Sequence, residues 1–156
     1  GELVPAESLV EDLRLVKDAG EAARIRSACA IADAALADVR GRLLEGPTEI
    51  EFGLELDAAM RRLGAEDVSF ETIVASGPNG AKPHHHPSDR RIEQGDLVVI
   101  DFGALVDGYH SDMTRTVALG DVGDERRRML DVVVERLAPF FVELSSAKLD
   151  EEFPFV

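Results

Sequence analysis

Three aspartates stand in the stretch "DFGALVDGYHSDMTRT", residues 101–116: Asp101, Asp107 and Asp112, with His110 among them. Upstream, "KPHHHPSD" puts His84, His85 and His86 in a row between prolines. Carboxylates and imidazoles are the side chains that hold divalent cations or move protons near neutral pH. The pair Asp107-Gly108 suits a two-residue type I′ hairpin turn, which assigns Asp107 to the turn. The register then sets Val106 opposite Tyr109, Gly103 opposite Asp112 and Asp101 opposite Thr114. Side chains alternate with period two, so Asp101, Gly103, Asp112 and Thr114 share one face of the ladder. Asp101 and Asp112 become diagonal neighbours, with the side-chain-free Gly103 leaving room between them. His110 and Thr116 extend the same polar face.

Two carboxylates that converge in an apolar setting do not both stay ionised without compensation. Either one takes a proton or a metal neutralises both. The competing reading is a hairpin cap plus a surface salt bridge. That reading explains Asp107 readily and Asp101 poorly, because "LVVID" ends an apolar run on Asp101. The histidine triplet has a plain alternative as a solvated loop that binds metals only casually. His110 reads as a satisfied structural histidine, and Cys29 as helix packing.

Helices come first in the chain, then strands. "DAGEAARIRSACAIADAALADVRGRLLEG" carries Ile25, Ala28, Cys29, Ala32, Leu36, Val39 and Leu43 at helical spacing. Asp18 with Glu21 forms a capping box, and Gly46-Pro47 stops the helix. In "PTEIEFGLELDAAMRRLG", Thr48 caps, Glu51 lies three residues on and Gly64 closes the C-terminus. Ile50, Leu54, Leu56, Ala58 and Met60 give that second helix an approximate apolar face. "SFETIVASG" reads as a short strand, and the turn-rich "GPNGAKPHHHPSDRRIEQGD" as a loop. "LVVIDFG" is a continuous apolar run, the pattern of a strand buried on both faces. "YHSDMTRTVAL" returns as its hairpin partner. A third helix spans "DERRRMLDVVVERL", with Met129, Leu130, Val133, Val134 and Leu137 on one face.

At 156 residues, with 45% hydrophobic and 31% charged side chains, the chain fits one globular domain. A formal net charge of −14 counts against nucleic acid and anionic membrane as partners and is compatible with a cation site. A single cysteine allows no intrachain disulfide and fits a reducing compartment such as the cytoplasm. No apolar run approaches the ~20 residues of a membrane span. The opening "GELVPAESLVEDLR" lacks the pattern of a signal peptide.

Together, "FETIVASGPNGAKPH", "GDLVVIDFG" and "GYHSDMTRT" resemble the catalytic domain of the Xaa-Pro dipeptidase (prolidase) and aminopeptidase P family. That family shares the pita-bread fold with methionine aminopeptidase and creatinase. The likeness runs from roughly Leu13 to Leu137, and "SDMTRT" is more similar to the Xaa-Pro peptidases than to the methionine aminopeptidases. It implies an α+β, pita-bread fold, of which this chain carries about the N-terminal half. It implies two divalent metals, Mn²⁺ or Co²⁺, and cleavage of peptides with proline at the second position. Asp101 matches the family's bidentate metal ligand, Asp112 its bridging carboxylate, and His84 its substrate-contacting histidine. His85 and His86 match no assigned role.

In the family a further His and two Glu ligands lie well beyond the "SDMTRT" block. Residues 138–156 contain no histidine, and no family motif surrounds Glu143, Glu151 or Glu152. The division expected is a linker end at 1–12, a partial catalytic domain at 13–137 and an unrelated tail at 138–156. Phe140, Phe141, Phe153 and Phe155 make that tail Phe-rich, so it either folds onto uncovered apolar surface or mediates self-association. The chain alone is expected to form a homo-oligomer, bind metal weakly and cleave little. A non-catalytic binding module derived from the peptidase fold is the alternative function.

Overall fold

A computed structural model describes the backbone of residues 8–146 and the side chains of residues 8–137. A short helix α1 (Leu9–Leu15), with no buried residue, precedes α2 (Ala19–Val39), whose capping box pairs Asp18 with Glu21. A 3₁₀ turn (Arg40–Glu45) extends α2 and ends at Gly46, φ 68°, as the Gly-Pro signal requires. Helix α3 (Glu49–Arg62) opens on a second capping box between Thr48 and Glu51. The strands are β1 (Asp67–Val68), β2 (Ile73–Ser76), β3 (Leu97–Phe102), β4 (Ala104–Val106), β5 (Tyr109–His110) and β6 (Met113–Ala118). Helix α4 (Gly123–Ser146) closes the described segment. The expected break at residue 138 falls inside α4, and the side chains of Phe140, Phe141, Phe153 and Phe155 lie outside the described residues.

Strands β2, β3 and β6 form one antiparallel sheet in the order β2-β3-β6, and β1, β4 and β5 a second in the order β1-β4-β5. The core lies under the first sheet. Val98, Ile100 and Phe102 of β3 pack on Phe52, Leu56 and Met60 of α3 and on Ala32, Ala35 and Val39 of α2. Phe52, Leu56, Met60, Ile100 and Phe102 are fully buried. Each such side chain stabilises the fold by about 1.5–3 kcal/mol relative to exposure.

The hairpin register follows the sequence expectation. Asp101 pairs with Thr114 and Val106 with Tyr109. Asp107 at φ 48° and Gly108 at φ 77° both take the left-handed backbone a type I′ turn demands. The ladder is not continuous, however. It breaks between Phe102 and Ala104, and the hairpin passes from one sheet to the other there. Gly103 sits at the crossing, its carbonyl accepting from Ser69 N at 2.8 Å. A Cβ on Gly103 would lie 2.0 Å from the Ser111 carbonyl oxygen and 2.9 Å from Ser69 Oγ. Ser111 is buried, and its Oγ accepts from Ala104 N at 2.9 Å. Gly103→Ala is therefore expected to destabilise the protein by about 2–3 kcal/mol through forced backbone movement. Urea unfolding checks this, and a loss below about 0.5 kcal/mol would show that the crossing has slack.

Two expected faces differ from those observed. β3 is not buried on both faces: Val98, Ile100 and Phe102 are buried, while Leu97, Val99 and Asp101 on the other face are only half-buried. The segment around Gly80 packs against Val99 and covers that second face only in part. On α3 the buried stripe is Glu49, Phe52, Gly53, Leu56, Ala59 and Met60, whereas Ile50, Leu54 and Ala58 are exposed. The stripe begins on a carboxylate, which hides its phase from any reading that looks only for apolar residues. On α4, Met129, Val133, Val134 and Leu137 are exposed and Leu130 is half-buried, so that face is uncovered within the described segment.

Candidate active site

The half-buried face of β3 points Asp101 into an open cleft of about 350 Å³. Ile73, paired with Asp101 across β2, and Phe70 form an apolar wall. Asp112, at the sheet crossing, and His84, His85 and His86, from the loop after β2, complete the lining with Glu71. The cleft thus gathers three carboxylates and three imidazoles, a donor set suited to a cation, while Lys82 lines an adjoining hollow that shares Ile73, His84 and Asp101. Asp101 Oδ1 accepts from Thr114 Oγ1 at 3.0 Å, which orients one oxygen and leaves the other to the cleft. His110 pairs with Leu105 in the other sheet and does not line the cleft.

The donors fit the oxygen-rich part of a divalent site and do not close one. Asp101 and Asp112 face the same space, yet among the described residues no three His, Cys, Asp or Glu side chains converge to hold an ion. Cys29 is half-buried on α2 and its thiol is pushed up by burial, next by Asp33, which suits packing and not reactivity.

His84 carries the backbone signature of a constrained position. Its φ is 51°, in the left-handed region that costs a non-glycine residue about 1–2 kcal/mol. Such strain persists only where the surroundings fix it. Next to it in the fold is Glu49, which is fully buried at the first turn of α3 and bonded to residues on both sides of His84. Its Oε1 accepts from Ser76 N at 2.8 Å, Ser76 Oγ at 2.7 Å and Asn79 Nδ2 at 3.0 Å. Its Oε2 accepts from His85 Nε2 at 2.8 Å, Ser88 N at 3.0 Å and Ser88 Oγ at 2.6 Å. Burial alone would raise the Glu49 pKa. Hydrogen bonds from Ser88, Asn79, His85 and Ser76 outweigh burial and hold the carboxyl well below its ordinary range. An ionised carboxylate only accepts, so His85 must carry its proton on Nε2.

A neighbouring, partly buried ion pair secures the far end of the loop. Arg90 donates to Asp96 through Nη1 at 2.6 Å and Nη2 at 3.0 Å, and also to Ser76 Oγ at 2.6 Å. Gly77, φ 51°, lies so close that a Cβ would sit 2.5 Å from Asp96 Oδ1. Neither Glu49 nor the Glu49–His85 pair stands out in the sequence. Glu49 follows a cap residue and reads as an ordinary acidic first turn, and its partners are spread over Ser76, Asn79, His85 and Ser88.

The fold can now be placed among known ones. The structure superposes on a Xaa-Pro dipeptidase from Bacillus anthracis with TM-score 0.81 and 43% identity, covering 85% of this chain and 37% of that one. An X-Pro aminopeptidase from Thermotoga maritima matches with TM-score 0.79 and 41% identity, covering 83% of this chain and 37% of that one. The class defined is the pita-bread fold, in its N-terminal part. A Xaa-Pro dipeptidase of Pyrococcus furiosus is 42% identical over 129 residues, which is 83% of this chain and 37% of the relative. An uncharacterized peptidase of Bacillus subtilis is 44% identical over 137 residues, 88% of this chain and 39% of the relative. Residues 23–139 match the model of metallopeptidase family M24, and the chain belongs to that family. It spans little more than a third of the length of these relatives. No helix among the described residues is long and apolar enough to cross a membrane.

Proposed function

We propose that this chain is the N-terminal part of the catalytic unit of a metal-dependent peptidase that hydrolyses the bond before proline. One observation carries the reading: Asp101 on β3 and Asp112 just before β6, on the two arms of one hairpin, line a cleft that His84 also lines. Kinship to proteins named as Xaa-Pro dipeptidases supports the substrate class.

When bound, divalent cations supply Lewis acidity toward a peptide carbonyl and a water of lowered pKa. In this reading Asp101 and Asp112 would hold the ions through their carboxylates, and hard oxygen donors would favour Mn²⁺ or a similar cation. Thr114 Oγ1 keeps the Asp101 carboxylate turned to the cleft. His84 offers an imidazole to the substrate at the rim, and Phe70 with Ile73 gives an apolar surface for a substrate side chain. Two carboxylates alone would leave most coordination positions to solvent, so slow cleavage is the expected outcome with these two ligands.

The test is hydrolysis of Ala-Pro beside Ala-Ala by the purified full chain with Mn²⁺ or Co²⁺, after chelation and re-addition. Slow, metal-dependent release of proline with Ala-Ala untouched is the expected result. Metal-independent cleavage, or equal cleavage of both peptides, would overturn the assignment. Complete inertness of a folded chain that still binds peptide would favour a binding module derived from the peptidase fold.

A further inference from the structure

We propose that Glu49 is a positioning residue for His84, acting through a loop that is tied around its buried carboxylate. The proposal rests on the peptidase reading only in the role it gives His84; the positioning itself follows from geometry. Residues 79–88 meet Glu49 at three points: Asn79 Nδ2 before His84, and His85 Nε2 and Ser88 N and Oγ after it. Lys82 adds to the near tie, its N donating to Asn79 O at 2.9 Å and its Nζ to Asn79 Oδ1 at 2.7 Å.

His84 lies between these ties with no hydrogen bond of its own among the described residues, and it alone of the three histidines has positive φ. Pro83 fixes the preceding φ near −65°. His85 is drawn inward onto a carboxylate at the core, its side chain 10% exposed. His84 and His85 both line the cleft, His85 at its inner end, where its ring reaches Glu49, and His84 exposed on the turn just before it, so the anchored His85 fixes the backbone from which His84 projects. His86, by contrast, pairs with the exposed Glu71 at 3.0 Å and contributes nothing to this anchoring. The buried carboxylate thus sets the orientation of a group it does not touch.

Removing Glu49 disturbs the whole fold, so the tie at His85 is the place to test. In the ¹⁵N-labelled full chain, long-range imidazole spectra should show His85 protonated at Nε2 with a slowly exchanging ring N–H. His85→Leu removes the donor. It should shift or broaden the ring and amide signals of His84 while those of β3 and β6 stay in place and thermal melting stays cooperative. His85→Gln restores an N–H donor to Glu49 and should return the His84 signals toward their wild-type positions. On Ala-Pro, the Leu variant should lose about ten- to a hundredfold in kcat with KM nearly unchanged, and the Gln variant should recover most of it.

Unmoved His84 signals in the Leu variant would overturn the proposal, as would a His85 ring protonated on Nδ1 alone. Failure of Gln to restore what Leu removes would overturn it too. Should the Leu variant not fold, Ser88→Ala, which deletes one hydroxyl donor to the same oxygen, gives the same reading with a smaller shift. The spectra decide the positioning even if the wild-type chain shows no turnover, so failure of the peptidase reading is separately visible.

Discussion

Glu49→Gln, a change of one atom, is expected to destabilise the protein by about 2–4 kcal/mol. The reason lies in which donors are fixed. Oε1 faces the backbone N–H of Ser76 and Oε2 faces the backbone N–H of Ser88. Neither N–H can turn away or become an acceptor. A glutamine must aim its NH₂ at one of them whichever way it flips. One buried N–H is then unpaired and opposed by another donor, costing about 1–3 kcal/mol, and the charge-assisted bonds that remain are weakened. For a chain of this size such a loss lowers Tm by roughly 5–15 °C. Glu49→Leu should be at least as damaging, although it adds apolar volume to a buried position, because it strands both N–H groups. A leucine variant as stable as wild type would show that the site is ordinary core.

The same carboxyl gives the prediction a pH signature. Its pKa is depressed in the folded protein relative to the ordinary 4.5 of an unfolded glutamate. A depressed pKa contributes stability that is complete above the unfolded value and is lost as pH falls toward the folded one. The gap between wild type and Glu49→Gln should therefore be constant above about pH 4.5 and narrow progressively below it. Denaturant titrations from pH 7 to pH 3 measure this. A gap that widens on acidification would contradict the sign.

How far the sequence reveals this arrangement depends on what kind of signal each part leaves. The hairpin register is legible because Asp107-Gly108 fixes it locally, and a two-residue turn permits only one pairing. The capping boxes at Asp18 and Thr48 are legible for the same reason: both partners lie within four residues. The phase of α3 is not, since its stripe starts on Glu49 and ordinary hydrophobic periodicity discards a carboxylate. Only the positions of Ser76, Asn79 and Ser88 in space explain how Glu49 can be interior, and these come together through folding. β3 misleads differently. "LVVIDF" is apolar at every position before Asp101, yet within the described residues only alternate ones are buried. The remaining face, with Leu97 and Val99 beside Asp101, is apolar surface that continues from the cleft. Alternation alone puts Asp101 and Asp112 on one face, and the cleft they share extends past the break in the ladder because Gly103 lets the chain cross without a change of register.

The largest functional effect should come from Asp112. It is exposed at the sheet crossing and, among the described residues, has no hydrogen bond or salt bridge, so asparagine costs the fold little. Its charge lies beside that of Asp101, and a cation held between them depends on both. Loss even of a group that only supports a metal ligand weakens a site about 10–100-fold, and loss of a ligand itself should weaken it at least as much. Mn²⁺ provides a readout free of turnover, because it broadens nearby resonances. Titrated into the full chain, it should first broaden signals of Asp101, Asp112, Thr114 and His84, with weak affinity since solvent fills most of the coordination shell. In Asp112→Asn the selective broadening should disappear while thermal stability stays within about 0.5 kcal/mol. Any metal-dependent cleavage of Ala-Pro should fall by about a hundredfold or more in the same variant. Asp101→Asn should behave alike but lose slightly more stability, because the Thr114 bond at 3.0 Å is weakened. Broadening centred instead on Glu71 and His86, or spread evenly over a surface of net charge −14, would remove the paired aspartates from the site.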